Sequence, residues 1–205
     1  MSKKTLAVEL SKLSGFSDPV MKLEQYPTNS EIAAEMLWMT DMKEGIENQH
    51  VIDLGAGTGV LGIGCLLLGA EKVTFIEKDE KALEDLRDNL DLIKETFEGL
   101  GTIEIIEKNV FHMAGIDSDV VVQNPPFGTK DEGKDILFLE KAFDCADTVL
   151  SFHKTSTKEY IREVSRNHRW HILIEKDYNF PLKNTLSFHD RDVENIKVTG
   201  YLFKD

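Results

Sequence analysis

The amino-acid sequence predicts a doubly wound α/β fold, and three observations carry that prediction. Strand-like and helix-like segments alternate along the chain, as parallel strands joined by helical crossovers require. A strand-like run at 50–54 leads directly into Gly55-Ala-Gly-Thr-Gly59 and then into a helix of small and apolar residues. With 205 residues, 41% hydrophobic and 30% charged, the chain can build one core without disulfide or metal staples. The expected architecture is a Rossmann-like, seven-stranded, mostly parallel sheet with helices on both faces, in a single domain over 1–205.

The elements follow in order. Leu6, Leu10 and Leu13 lie at helical spacing, with Gly15 placed to end that helix. A second helix follows Thr28 or Asn29, either of which can cap it, with Ile32, Met36 and Met39 on one face. Residues 1–45 thus form a helical segment with a loop inside it. His50 to Leu54 is the first buried strand, and the apolar helix after it runs to Gly69. Lys72 to Glu77 is the second strand, followed by a charged helix from Glu80 to Phe97 with Leu83, Leu86, Leu90 and Ile93 inward. Thr102 to Glu107 and Asp119 to Gln123 are the third and fourth strands; Asn124-Pro-Pro-Phe127 breaks the latter abruptly. A helix over 135–146 precedes a strand over 148–152, and Ser156-x-x-Glu159 reads as the capping box of a further helix. Segments 171–177 and 193–203 close the sheet, the last antiparallel.

Composition excludes several classes. Cys65 and Cys145, without CxxC spacing, make neither a disulfide scaffold nor a cysteine-built zinc site. The longest near-apolar run, Val60 to Ala70, is about half a membrane span, and the start lacks a signal-peptide core. A soluble cytoplasmic protein without a membrane partner is expected. A net charge of −13 argues against unassisted, nonspecific nucleic-acid binding. Yet residues 1–150 carry 14 Lys and Arg against 29 Asp and Glu, whereas residues 151–205 carry 10 against 8. Lys154, Lys158, Arg162, Arg166 and Arg169 crowd one stretch, which reads either as a solvated helix face or as a landing strip for phosphates.

Two constellations carry chemistry. In Asp53-Leu-Gly55-Ala-Gly57-Thr58-Gly59 the glycines let the backbone turn sharply and approach a ligand, with helix amides facing it. Glu77, ending the next strand, is placed to accept from a ribose diol, and Asn109, after the third strand, to bond an adenine edge. These residues suit S-adenosylmethionine. Gly57-x-Gly59-x-x-Gly62 with Glu77 also meets the dinucleotide fingerprint, so the glycine loop alone leaves a nicotinamide oxidoreductase open. The second constellation favours methyl transfer. The Asn124 carboxamide oxygen and the Pro125 carbonyl can take the two hydrogens of an NH2 group, with Pro126 stiffening the turn and Phe127 offering a face for an unpaired base. The nitrogen lone pair then points at an incoming methyl group.

These stretches resemble the class I amino-methyltransferases that use S-adenosylmethionine. Leu23-Glu-Gln-Tyr-Pro-Thr28, Asn124-Pro-Pro-Phe-Gly-Thr-Lys130 and His153-Lys-Thr-Ser-Thr157 look most like the family of methyltransferase-like protein five and its archaeal relatives, which methylate adenine N6 in small-subunit ribosomal RNA. The resemblance implies that Gln25 and Thr28 contact the cofactor from a covering loop. It further implies that Gly55 and Thr58 hold the methionine portion, Glu77 the ribose and Asn109 the adenine, although the family usually has an acidic residue at the last position. Lys130, His153 and Lys154 are the candidate RNA contacts.

The expected function is therefore methylation of an RNA adenine at N6. A protein glutamine amide in the translation machinery is the rival amine, and nicotinamide chemistry the rival class. An acidic protein acting on RNA needs help. The related eukaryotic enzymes work with a small zinc-bearing activator protein, and the Thr102 to Glu107 strand is a candidate edge for docking it by strand addition.

Overall fold

The computed structural model describes residues 1–20, 23–113, 116–127, 133–182 and 194–205. Helices α1 (Lys3–Leu10) and α2 (Ser30–Glu44) precede the sheet. Strand β1 (His50–Leu54) leads to α3 (Val60–Leu67), β2 (Lys72–Glu77) to α4 (Glu80–Thr96), and β3 (Thr102–Glu107) to β4 (Ser118–Gln123). Helix α5 (Lys134–Phe143), β5 (Ala146–Lys154), α6 (Lys158–Asn167), β6 (His171–Leu182) and β7 (Glu194–Lys204) complete the chain.

The seven strands lie in the order β3-β2-β1-β4-β5-β7-β6. β1 to β5 are parallel, and β7 runs antiparallel between β5 and β6. The chain winds outward from β1 through β2 to β3, then crosses back to place β4 on the other side of β1. That reversal opens a crevice at the carboxyl ends of β1 and β4, where doubly wound sheets bind ligands.

Local sequence explains the layers. Every residue of α3 is buried, so its eight small and apolar residues make a helix that packs on all sides. The amphipathic α4 buries Leu83, Leu86, Leu90 and Ile93 against the sheet and is capped by Asp79, whose carboxylate accepts from the Ala82 amide. Asn29, not Thr28, caps α2, accepting from the amides of Glu31 and Ile32.

Three expectations are corrected. Helix α1 ends at Leu10 with Ser11 as its cap, four residues before Gly15. The Ser156-x-x-Glu159 box does not form: a 3-10 turn occupies 155–157, the Thr157 hydroxyl donates to the Lys154 carbonyl, and Glu159 pairs with Arg162. β5 and β6 run longer than predicted because antiparallel pairing with β7 extends their ladders to Lys154 and Leu182. No helix among the described residues is long and apolar enough to cross a membrane.

Candidate active site

A cavity of about 300 Å3 opens at the carboxyl ends of β1 to β4. Its floor is the turn after β1. The Gly55 and Ala56 amides both donate to the Ile76 carbonyl, and the Gly59 amide to that of Ala56, which closes the loop tightly. Gly55, Gly57 and Gly59 all have positive φ, between 53° and 84°. A Cβ on Gly55 would sit 2.9 Å from the Phe138 ring of α5, and one on Gly57 2.8 Å from the Phe16 ring. The loop is thus glycine-rich partly so that two aromatic rings can close on it.

Two carboxylates organise the floor. Asp53, 2% exposed at the end of β1, accepts from the Gly62 amide in the first turn of α3. Burial raises its pKa to about 8; the Gly62 bond opposes that shift and the nearby Glu77 adds to it. Glu77 accepts from the Gly57 amide at 2.9 Å through one oxygen, and from Lys78 and Asp79 through the other. It pins the glycine loop to β2 while its side chain still lines the cavity. Asn109 lines the same wall, but its carboxamide oxygen accepts from the Phe111 amide, so its NH2 is the group left for a ligand. Phe111 and Phe138 complete this side, edge to face with centroids 5.3 Å apart.

Residues 11–20 and 23–28, a strap between α1 and α2, form the lid side. Phe16, Gln25, Tyr26 and Thr28 all face the cavity. Gln25 accepts from the Val20 amide at 2.7 Å and so braces the strap internally. Asn89 of α4, which sequence reasoning missed, anchors it from below. Its carboxamide accepts from the Ser14 amide and donates to the carbonyls of both Ser14 and Thr58. Asp85 takes the Ser17 amide, and Lys81 pairs with Asp18. The available signal was a polar residue, Asn89, on the apolar stripe of an amphipathic helix.

Asn124 and Pro126 line the wall that meets the strap. The Asn124 NH2 donates to the Thr28 hydroxyl at 3.0 Å, whereas its oxygen is buried without a partner. Pro125 and Phe127 do not line the cavity. Phe127 is 5% exposed and packs in the main core, so the expected open stacking face is covered.

The candidate RNA contacts separate. His153 is fully buried, because β5 is a central strand covered on both faces and buries every residue from Thr148 to His153, while Lys154 at the strand end is half-buried. Lys130 lies outside the described residues. The basic stretch is largely neutralised: Lys158 pairs with Glu175 and Asp177, and Arg162 forks onto Glu175. Among the described residues Lys154, Arg166 and Arg169 form no ion pair, so only part of the strip remains free for phosphates.

The sheet order, the glycine turn after β1, the acid ending β2 and Asn-Pro-Pro-Phe after β4 define a class I methyltransferase. The family model described as Conserved hypothetical protein 95 matches residues 22–182. The chain is 35% identical to the rRNA N(6)-adenosine-methyltransferase METTL5 of Danio rerio, over 97% of this chain and 96% of that one. It is similarly 35% identical to the rRNA N(6)-adenosine-methyltransferase Mettl5 of Drosophila melanogaster, over 95% and 92%. Among solved structures, a putative RNA methyltransferase from Pyrococcus horikoshii superposes with a TM-score of 0.88 at 37% identity, covering 100% of this chain and 98% of that one. The chain belongs to the METTL5 family of methyltransferases. Gly57-x-Gly59-x-x-Gly62 is accordingly a packing pattern here: a Cβ on Gly62 would collide with the Phe75 ring.

Proposed function

We propose that this protein transfers the methyl group of S-adenosylmethionine to the exocyclic N6 amine of an adenosine in ribosomal RNA, specifically that of the small subunit. One observation carries the reading: a buried, unpartnered Asn124 oxygen beside the cavity, on a carboxamide whose NH2 is already held by Thr28. A fixed NH2 leaves the oxygen as the free end of the amide, the end that accepts an N–H.

The cavity residues fit the cofactor. Glu77 gives the floor negative character for a cationic ligand and retains lone pairs for a ribose diol, and Phe111 with Phe138 offers an aromatic wall for adenine. Gln25 and Thr28 close the strap over it, and Gly55, Gly57, Thr58 and Gly59 let it approach the backbone. S-adenosylmethionine supplies a methyl group on a positively charged sulfur. Asn124 Oδ1 takes one amine hydrogen and so aims the nitrogen lone pair, and the Pro125 carbonyl, outside the cavity wall in this structure, takes the second once RNA docks. Bound in the cavity, the cofactor would give its methyl to that nitrogen, its sulfur keeping the electrons of the carbon–sulfur bond. Hydrogen bonds from the amine to Asn124 and Pro125 stabilise the charge growing on nitrogen, which loses its extra proton to water. Stacking on Phe127 requires that ring to leave its core position when RNA docks.

The test is Asn124→Ala with labelled cofactor. Turnover on ribosomal RNA should fall about 100-fold or more, as when one transition-state hydrogen bond is removed, while S-adenosylmethionine affinity stays within about twofold. Undiminished turnover would sink the amine-presentation role, and label entering protein glutamine instead of RNA would replace the substrate.

We further place the protein in the cytoplasm, working with a small zinc-bearing activator protein seated on β3. Two facts support that seat: β3 is an edge of the sheet, and its described residues are only partly buried.

A further inference from the structure

The Asn124 corner follows Gln123, the last residue of β4, and Lys134 opens α5 further along the chain. Both roots touch one buried chain of side chains. Gln123 donates from Nε2 to the Ser151 hydroxyl at 3.0 Å, and that hydroxyl lies 2.8 Å from His153 Nε2. On the far side, His153 Nδ1 lies 3.2 Å from a carboxylate oxygen of Asp135, in the first turn of α5. The donors run in one direction. Ser151 accepts from Gln123 and gives its proton to Nε2, and Nδ1–H gives its own to Asp135, so a neutral imidazole in a single tautomer satisfies every bond. Gln123, Ser151 and His153 are fully buried and Asp135 is 6% exposed.

The order serine, histidine, aspartate invites a nucleophilic reading, which burial excludes: Ser151 has no solvent-accessible surface for a substrate to meet, and none of the four lines the cavity. What the chain does contact is the frame of the catalytic segment. Gln123 is bonded covalently to Asn124, and Asp135 follows Lys134 and precedes Phe138, both of which line the cavity.

We propose that Gln123, Ser151, His153 and Asp135 are positioning residues, a buried relay that ties both roots of the Asn124 segment to β5 and thereby fixes the aim of the Asn124 carboxamide. This rests on the methyl-transfer reading and adds to it a source of precision. Each link costs little if it stays satisfied and much if one member is removed, because the remaining buried groups lose their partners. A tethered root matters for rate because misplacing a reacting group by about 1 Å is enough to slow transfer by up to about 100-fold.

The experiment uses Ser151→Ala, Asp135→Ala, their double variant and Asp135→Asn, which keeps an acceptor for Nδ1–H. Each alanine variant should lower kcat about tenfold with S-adenosylmethionine Kd and RNA KM within about twofold. Cutting one chain twice should cost no more than cutting it once, so the double variant should also lose about tenfold, and Asp135→Asn should recover most of the rate. Losses that multiply to about 100-fold, or that track cofactor affinity, overturn the relay. Amide hydrogen exchange in the first turn of α5 separates this from the functional reading. Faster exchange there in Ser151→Ala supports the tether whichever amine the wild type methylates; unchanged exchange overturns it. Should Ser151→Ala fail to fold, Asp135→Ala, at the edge of the core, carries the same comparison.

Discussion

Asp53 shows how a side chain serves two masters at the residue scale. Its carboxyl holds the first turn of α3 through Gly62, yet its burial, with a smaller push from the nearby Glu77, raises its pKa to about 8. A folded pKa above the unfolded value near 3.9 means the native state keeps a proton that the unfolded chain releases. Stability from this group is therefore full at about pH 4 and is lost as pH rises through about 8. Asp53→Asn keeps an acceptor for the Gly62 amide and removes the ionisation. Its melting temperature should stay nearly level between pH 5.5 and 8.5, while that of the wild type declines. Parallel declines in thermal melts would show that another group sets the slope. The same residue marks the limit of reading by motif: sequence placed Asp53 at a ligand site but not at a buried, protonated one.

At the scale of elements, the decisive joint is between α4 and the strap. Three hydrogen bonds and one ion pair from α4 hold residues 14–18, and two of those bonds belong to Asn89. Because Asn89 also holds the Thr58 carbonyl, the strap and the glycine loop are tied to one side chain. Asn89→Ala leaves a buried amide and two carbonyls unpaired, a loss of about 1–3 kcal/mol in stability. It should also weaken S-adenosylmethionine binding about tenfold in calorimetric titration. Unchanged affinity would mean that the strap holds its place through Asp85 and its own packing. Helix and strand identities were legible from period and caps, as α4 and β1 to β3 illustrate. The strap was legible only as the covering loop that the resemblance implied, since its anchors lie about 75 residues away.

For the whole molecule, charge and the open edge argue together. The protein is strongly acidic, and its most basic stretch is occupied by internal ion pairs through Lys158 and Arg162. On the proposed reading, a partner's cations supply RNA affinity beyond what Lys154, Arg166 and Arg169 can give. On β3, the Thr102 and Lys108 amides donate inward to β2, so the amides of Ile103, Ile105 and Glu107 face outward, free to pair with an added strand. Ile105→Pro removes one outward donor without breaking the β2 ladder. It should abolish co-purification with the activator while S-adenosylmethionine binding persists. Retained co-purification would move the docking surface elsewhere.

The sequence by itself determined the fold class, the order of strands and helices, the glycine turn and the Asn-Pro-Pro-Phe corner. All of these depend on neighbours a few residues apart, through backbone conformation, period and caps. Only the tertiary structure decided that His153 is buried, that Phe127 is covered, that Thr28 holds Asn124, and that Asn89 ties the strap to the glycine loop. Each of those is a contact between segments far apart in the chain. Whether a strand is covered on both faces depends on its place in the sheet, and no local pattern says which buried polar group meets which partner across the core.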